Sequence, residues 1–297
     1  MYEHLIGMLK VNEVEYQTQA DLKALCSIRI GGVAGIVIFP DTEKKLVSVI
    51  EYLTNSGEDY RLVGNMTNIV PPDKYFYLPI ISTRRLRGYS IKDGFAVAMA
   101  GESIFRILNS AAPKNLGGPE PLCGIPGTVG GLVAMNAGAF GKEISDFLID
   151  ATVYDKTEGK TKRLSASEMR FSYRSSVLRD GNFILLSARF KLFEKPYSSI
   201  ISDLREYRER RIFAQPTEPS CGSVFMRCGD IIPARIIDAL GLRGLGMGGA
   251  VVSKKHAGFI VNLGNATAED FCGLVERIKS EASVRLGVTL KEEVEYL

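Results

Sequence analysis

The spacing of apolar residues divides the chain into alternating strand and helix signals. Residues 34–40 (AGIVIFP) run apolar almost without a break, as a buried strand does. In residues 43–57 (EKKLVSVIEYLTNSG), Leu46, Val49, Ile50 and Leu53 recur on one helical face. Asp41 or Thr42 stands where an N-cap belongs, and Gly57 follows the end. Residues 61–63 (RLV) predict a second strand, running into GNMTN. Further on, FAVAMAG (95–101), LIDATVYD (148–155) and FILLSARFKL (183–192) alternate or run apolar like strands, and SIFRILNSAA (103–112) reads as a helix. The charged run REYRERR (205–211) reads as a solvated helix face. A helix over IIPARIIDALG (231–241) and a strand at AGFIVN (257–262) follow. The strongest helix signal is TAEDFCGLVERIKSEASVRLG (267–287). There Thr267 and Asp270 make a capping box, Phe271, Leu274, Val275, Ile278 and Ala282 form the buried stripe, and Gly287 ends it. VTLKEEVEYL (288–297) reads as a final strand. The chain thus falls into three blocks, one to about residue 83, one to about residue 195, and a third carrying the last two helices.

Composition narrows the class. A chain of 297 residues has room for two or three domains. With 45% hydrophobic and 24% charged residues it reads as a globular protein. Lys+Arg 37 against Asp+Glu 34 is too balanced to argue for nucleic acid or an anionic membrane surface. No apolar run is long enough to span a bilayer, and MYEHLIGMLKVNEVEYQ lacks the basic start and apolar core of a signal peptide. Five cysteines without a CxxC pair are expected to be reduced thiols of a cytoplasmic protein. With only His4 and His256, a histidine-based metal site is not expected, and a Ser-His-Asp triad has two candidates at most.

RGLGMGGA contains a literal GxGxxG, Gly244, Gly246 and Gly249. A dinucleotide fingerprint needs a strand before it and a helix after it; here a helix precedes and VVS follows, so a structural turn is expected. No GxxxxGK[ST] occurs. The stretch GIPGTVGGLVAMNAGAFG (124–141) holds six glycines. Such glycines either let bare backbone meet a ligand, with N–H groups turned to phosphate oxygens, or allow tight helix packing. GNMTN (64–68) offers a second cradle through its backbone, the Thr67 hydroxyl and the Asn68 amide. Two such loops in two blocks would suit a pyrophosphate between domains. Three further residues attract attention. Arg174, in FSYRSSVL, has the planar fork that suits a carboxylate. Ser223, in PSCGSVF, would expose its hydroxyl on a turn. If Leu290 and Val294 face inward, alternation turns Glu292 inward and Glu293 outward. Standing alone, each has an ordinary reading: an ion pair, a turn hydroxyl, a solvated carboxylate.

They do not stand alone. SIRIGGVAGIVIFP, LVGNMTNIV, GGPEPLCGIPGTVGGLVAMNAGAFGKEI, FSYRSSVL, QPTEPSCGSVF, GLGMGGAVVSKKHAGFIVN and GVTLKEEVEYL, taken in order, resemble the UDP-N-acetylenolpyruvoylglucosamine reductase (MurB) family. The likeness runs from Ser27 to Val294, and the lack of an insertion in the third block is similar to its shorter, type II branch. The resemblance implies an α+β fold: a two-part FAD-binding module of the PCMH/vanillyl-alcohol-oxidase type over 1–83 and 84–195, and a UDP-sugar domain over 196–297 whose last strand can pack back on the flavin module. It implies non-covalent FAD, held by Gly64, Asn65, Met66, Thr67 and Asn68, by Gly124, Ile125, Pro126, Gly127, Thr128, Val129, Gly130 and Gly131, and by Asn136, Ala137 and Gly138. NADPH is the implied hydride donor. Arg174, Ser223 and Glu293 are the implied catalytic residues for reducing UDP-N-acetylglucosamine enolpyruvate to UDP-N-acetylmuramate in peptidoglycan precursor synthesis. No metal, nucleic acid, membrane or obligate protein partner is expected. The sequence departs from the family's pattern in three places: Met66-Thr67 where Gly-Ser is usual, Met226-Arg227-Cys228 where Lys-Asn-Pro is usual, and Glu295 where Arg is usual. Another FAD oxidoreductase of the same fold, or a relative that binds FAD or a UDP-sugar without catalysis, are the alternatives.

Overall fold

The computed structural model describes residues 2–297. The chain forms two compact units, and both are discontinuous. Unit 1 holds the segment ending at Gln17, then Ile36–Asn65 and Pro79–Arg211; unit 2 holds Thr18–Gly35, Met66–Leu78 and Ile212–Leu297.

The strand Val33–Phe39, which enters unit 1 at Ile36, pairs there in parallel with Ile80–Ser82, Val37 opposite Ile80 and Ile38 opposite Ile81. Arg61–Val63 pairs in parallel with the other side of Ile80–Ser82. Parallel strands need a crossover, and the helix Glu43–Asn55 supplies it. The Thr42 hydroxyl, rather than Asp41, caps it, accepting from the Lys45 N–H at 3.2 Å. Leu46, Val49, Ile50 and Leu53 are fully buried as their spacing predicts. Each such side chain contributes about 1.5–3 kcal/mol by leaving water. A second, five-stranded sheet runs in the order Lys160–Ser165, Leu148–Asp155, Phe183–Lys191, Phe95–Met99, Tyr89–Lys92, all antiparallel. The helix Ile104–Ala111 buries Ile104, Ile107, Leu108 and Ala111. Ile38 and Ile50 share one apolar cluster with Ala98, Val133, Val153 and Phe190, so a single core joins both sheets of the unit.

Unit 2 is built on the antiparallel strands Ser220–Ser223, Phe259–Asn262, Ala250–Val252 and Gly246–Met247, with the helix Ala268–Leu286 packed on the last two. The capping box of Thr267 and Asp270 is present, and Gly287 ends the helix at φ +65°. Asp73 adds a second cap, its carboxylate accepting from the N–H groups of Ala268 at 2.9 Å and Glu269 at 3.2 Å. RGLGMGGA is a hairpin, with Gly246 opposite Val251 and Met247 opposite Ala250, which is the structural turn its context predicts.

The final segment differs from expectation. Residues 288–297 do not make one ladder. Phe225 bridges Glu292, while Glu295–Tyr296 pairs in parallel with Ile69–Val70, so the segment changes partner midway. The helix Glu3–Val11 and the strand Glu15–Asp21 were not anticipated; the strand (EYQTQAD) buries only Ala20, and so shows no apolar alternation.

Candidate active site

The glycine-rich stretch of unit 1 opens the short helix Val129–Ala134, and Thr128 caps it by accepting from the Gly131 N–H at 3.3 Å. A Cβ on Gly64 would lie 2.4 Å from that same Thr128 hydroxyl. The two glycine-bearing loops therefore touch, and only a residue without a side chain fits at Gly64. Ser82 Oγ donates to the Gly64 carbonyl at 3.1 Å and Thr83 Oγ1 to the Val63 carbonyl at 3.3 Å, which fixes the start of GNMTN. Gly130 and Gly131 separate the two readings of the stretch. A Cβ at Gly130 would meet the Ala100 carbonyl at 3.2 Å, so this glycine serves packing. At Gly131 the nearest atom would be the Thr128 hydroxyl at 3.7 Å, and the residue is exposed: this side is open backbone.

Asn136 is 1% exposed. Its amide donates to Glu143 Oε2 at 2.8 Å and to the Ser172 carbonyl at 3.2 Å, and its oxygen accepts from the Ser145 N–H at 3.0 Å. Sequence reasoning offered this amide to a cofactor; its hydrogen bonds are made inside the protein instead. They tie the stretch to the hairpin carrying Arg174. Ser172 and Ser175 exchange two backbone hydrogen bonds of 3.1 Å, leaving Tyr173 and Arg174 at the tip. Ser176 Oγ adds a bond to the Ala134 carbonyl at 3.0 Å. Arg174 is half-buried at φ +55°, with its guanidinium 4.9 Å from the Tyr173 ring centroid. A left-handed conformation costs a non-glycine residue about 1–3 kcal/mol, and the ties around it hold it there.

Unit 2 places the segments that carry Ser223 and Glu293 side by side. Ser220 pairs with Val261 and Ser223 with Phe259, so Cys221 and Gly222 stand opposite Ile260 alone. That is a bulge, and Gly222 takes φ +82° in it. Ser223 is thus a half-buried strand end re-aimed by a bulge, where the sequence reading placed an exposed hydroxyl on a turn. The Glu293 N–H donates to the Val224 carbonyl at 2.8 Å, which sets Glu293 next to Ser223's neighbour. The Asn68 amide donates to the Glu293 carbonyl at 2.9 Å, and the Glu295 N–H donates to the Asn68 carbonyl at 3.0 Å. GNMTN therefore begins in unit 1 and ends in unit 2 as the support of Glu293, a link that no local sequence signal carries. Met66 is 2% exposed at φ +49°. Its backbone is in the left-handed region that favours glycine, and its bulk is buried.

Other reactive side chains read as structural. Burial pushes the Cys221 thiol up to about 12 and raises Cys26 as well. Burial lowers His256, whose Nδ1 accepts from the Gly258 N–H at 3.1 Å. Among the described residues, no group of three His, Cys, Asp or Glu could hold a metal ion. No helix of the described residues is long and apolar enough to cross a membrane.

Residues 34–165 match the model described as FAD binding domain. Residues 215–297 match UDP-N-acetylenolpyruvoylglucosamine reductase, C-terminal domain. The UDP-N-acetylenolpyruvoylglucosamine reductase of Caldicellulosiruptor saccharolyticus is 38% identical over 98% of this chain and 94% of its own length. That of Caldanaerobacter subterraneus is 35% identical over 100% and 99%. The crystal structure of the Thermus caldophilus enzyme superposes with a TM-score of 0.81 at 32% identity, covering 95% of this chain and 98% of that one. The chain belongs to the UDP-N-acetylenolpyruvoylglucosamine reductase family.

Proposed function

We propose that this protein reduces UDP-N-acetylglucosamine enolpyruvate to UDP-N-acetylmuramate, with NADPH as reductant and FAD bound non-covalently, as a step of peptidoglycan precursor synthesis. Family membership supports the reaction, and the bond from the Glu293 N–H to the carbonyl of Val224, the residue after Ser223, is the observation that supports the residue roles. The open edge at Gly131 and the contact of Gly64 with Thr128 fit a cofactor lying on bare backbone. Residues 64–68, 124–131 and 136–138 would hold it, with Asn136 acting through the loop shape it fixes.

A bound FAD would supply hydride transfer from NADPH to C3 of the enolpyruvyl group. The remaining work belongs to the chain. Negative charge develops on the substrate at C2 and on the adjacent carboxylate. Arg174 presents a fixed cation to that carboxylate, and Glu293, in its protonated form, donates a hydrogen bond to the enolate-like form. Ser223 donates its proton to C2. A serine hydroxyl is a weak acid, so this transfer requires a strongly basic carbon, which an enolate provides. Blocks 1–83, 84–195 and 196–297 would divide the labour into flavin, flavin and UDP-sugar parts. The protein works in the cytoplasm, where its five free thiols are at home, and without an obligate protein partner.

The test is anaerobic. The purified protein should carry a flavin band that acid precipitation leaves in the supernatant, bleach with NADPH, and recover colour when the enolpyruvyl substrate is added. Colour that stays in the pellet contradicts non-covalent binding. A reduced flavin that the substrate leaves reduced contradicts the reaction.

A further inference from the structure

Two adjacent glutamates with identical side chains, Glu292 and Glu293, sit on one extended segment, whose alternation would turn them to opposite faces. The backbone bonds of this segment fix its path: the Met226 N–H donates to the Lys291 carbonyl at 2.7 Å, and the Glu293 N–H to the Val224 carbonyl at 2.8 Å. The Asn68 amide also ties the Glu293 carbonyl at 2.9 Å, but all these bonds are made to backbone atoms of the segment, and a slip of one position exchanges the faces of both carboxylates. The segment has little apolar character to oppose that slip, with only Leu290 and Val294 buried.

The helix Ala268–Leu286 and the chain end supply the missing distinction. Lys279 Nζ lies 3.1 Å from Glu292 Oε1 and 2.6 Å from Glu276 Oε1. The Tyr296 hydroxyl donates to Glu292 Oε2 at 2.5 Å. Both oxygens of Glu292 are thereby engaged, at a side-chain exposure of 21%. Desolvation first, then the Glu292 carboxylate, raise the Tyr296 phenol above its ordinary range. An ion pair beside a hydrogen-bonded phenol in a half-buried setting is the kind of polar set that fixes register.

We propose that Lys279 and Tyr296 are positioning residues: by capturing Glu292 on the helix side they fix the segment that carries Glu293 beside Val224. The proposal rests on the reading of Glu293 as a group that acts on the substrate. Neither residue touches the reacting atoms. Their effect is on how often Glu293 is correctly placed, and a misplacement of about 1 Å in such a site can cost about a hundredfold in rate.

The holoenzyme variants Lys279→Met and Tyr296→Phe test this by stopped-flow on the flavin band, with Lys279→Arg as the conservative rescue and Glu293→Gln as the reference. Lys279→Met and Tyr296→Phe should retain FAD and be reduced by NADPH within about twofold of the parent rate. Reoxidation by UDP-N-acetylglucosamine enolpyruvate should slow by about tenfold or more, and Lys279→Arg should restore most of it. Glu292→Gln, which keeps the shape but loses the charge, should follow Lys279→Met. Parental reoxidation in these variants, beside a slow Glu293→Gln, overturns the positioning role alone. Equal slowing of both half-reactions overturns it too, because general loosening of the fold would then be the cause. Parental reoxidation in Glu293→Gln overturns the underlying role of Glu293 and the proposal with it.

Discussion

Met66 keeps a left-handed backbone at φ +49° with its side chain buried. The two facts pull a Met66→Gly substitution in opposite directions. Glycine relieves a conformational cost of about 1–2 kcal/mol, whereas deleting a buried methionine side chain costs about 2–5 kcal/mol. Packing wins, and the variant should be less stable by about 1–3 kcal/mol in urea unfolding while its flavin content is unchanged. Marked loss of flavin would mean that Met66 itself packs on the cofactor. Gly64→Ala should behave in the opposite way. Its Cβ would sit 2.4 Å from the Thr128 hydroxyl, which is held by the Gly131 N–H it caps. The loops must part, so this variant should lose FAD on gel filtration; a fully yellow Gly64→Ala protein would show that the loop contact is dispensable. The sequence marked Met66 as a departure from the glycine that the resemblance leads one to expect there. It did not reveal that the side chain turns inward, since that depends on partners distant along the chain.

The helix Ala268–Leu286 was legible because every local signal agrees: a capping box, a 3.6-period stripe and a terminal glycine. The final segment was not legible as built, because its pairing with 224–226 and then with Ile69–Val70 is set by neighbours far away in sequence. Ser223 shows the same limit, for a bulge is a property of two strands and PSCGSVF is only one of them. The legible helix gives a quantitative expectation. Thr267→Ala should cost about 0.5–2 kcal/mol, the usual value of a lost N-cap. Asp270 adds a pH dependence. The backbone N–H of Thr267 chiefly holds its carboxyl below the ordinary value of 3.8. A carboxyl depressed in the folded state stabilises above its unfolded pKa, and the contribution disappears as pH falls through the folded value. Asp270→Asn should therefore be less stable than the parent at pH 7, and the gap should narrow below pH 3.8. A gap that stays constant across that range in thermal melts would remove the carboxylate charge from the explanation.

Across the whole molecule the proposed chemistry is divided by unit: Arg174 and the glycine-rich stretch in unit 1, Ser223 and Glu293 in unit 2. The order of motifs along the chain made these residues recognisable together. It concealed that residues 18–35 and 66–78 fold with the C-terminal part, because the bonds that place them there, such as those from Ser27 Oγ to the Ser220 carbonyl at 2.6 Å and from Asn262 Nδ2 to the Ile28 carbonyl at 3.0 Å, join the two ends of the sequence. The division has a kinetic consequence. If Ser223 serves only to protonate C2, it has no part in accepting hydride from NADPH. Ser223→Ala should then retain FAD and be bleached by NADPH at the parental rate. Recovery of the flavin band on adding UDP-N-acetylglucosamine enolpyruvate should slow by about two powers of ten or more, the usual loss when a general acid is removed. Substrate affinity should shift by no more than about 0.5–1.5 kcal/mol, the net worth of one neutral hydrogen bond. Ser223→Cys discriminates further: a thiol is a stronger acid in a similar place, so it should recover part of the reoxidation rate if proton donation is the role. Stopped-flow absorbance follows each half separately. Should Ser223→Ala slow bleaching by NADPH as much as it slows reoxidation, the serine supports the structure of unit 2 and the proton comes from another group.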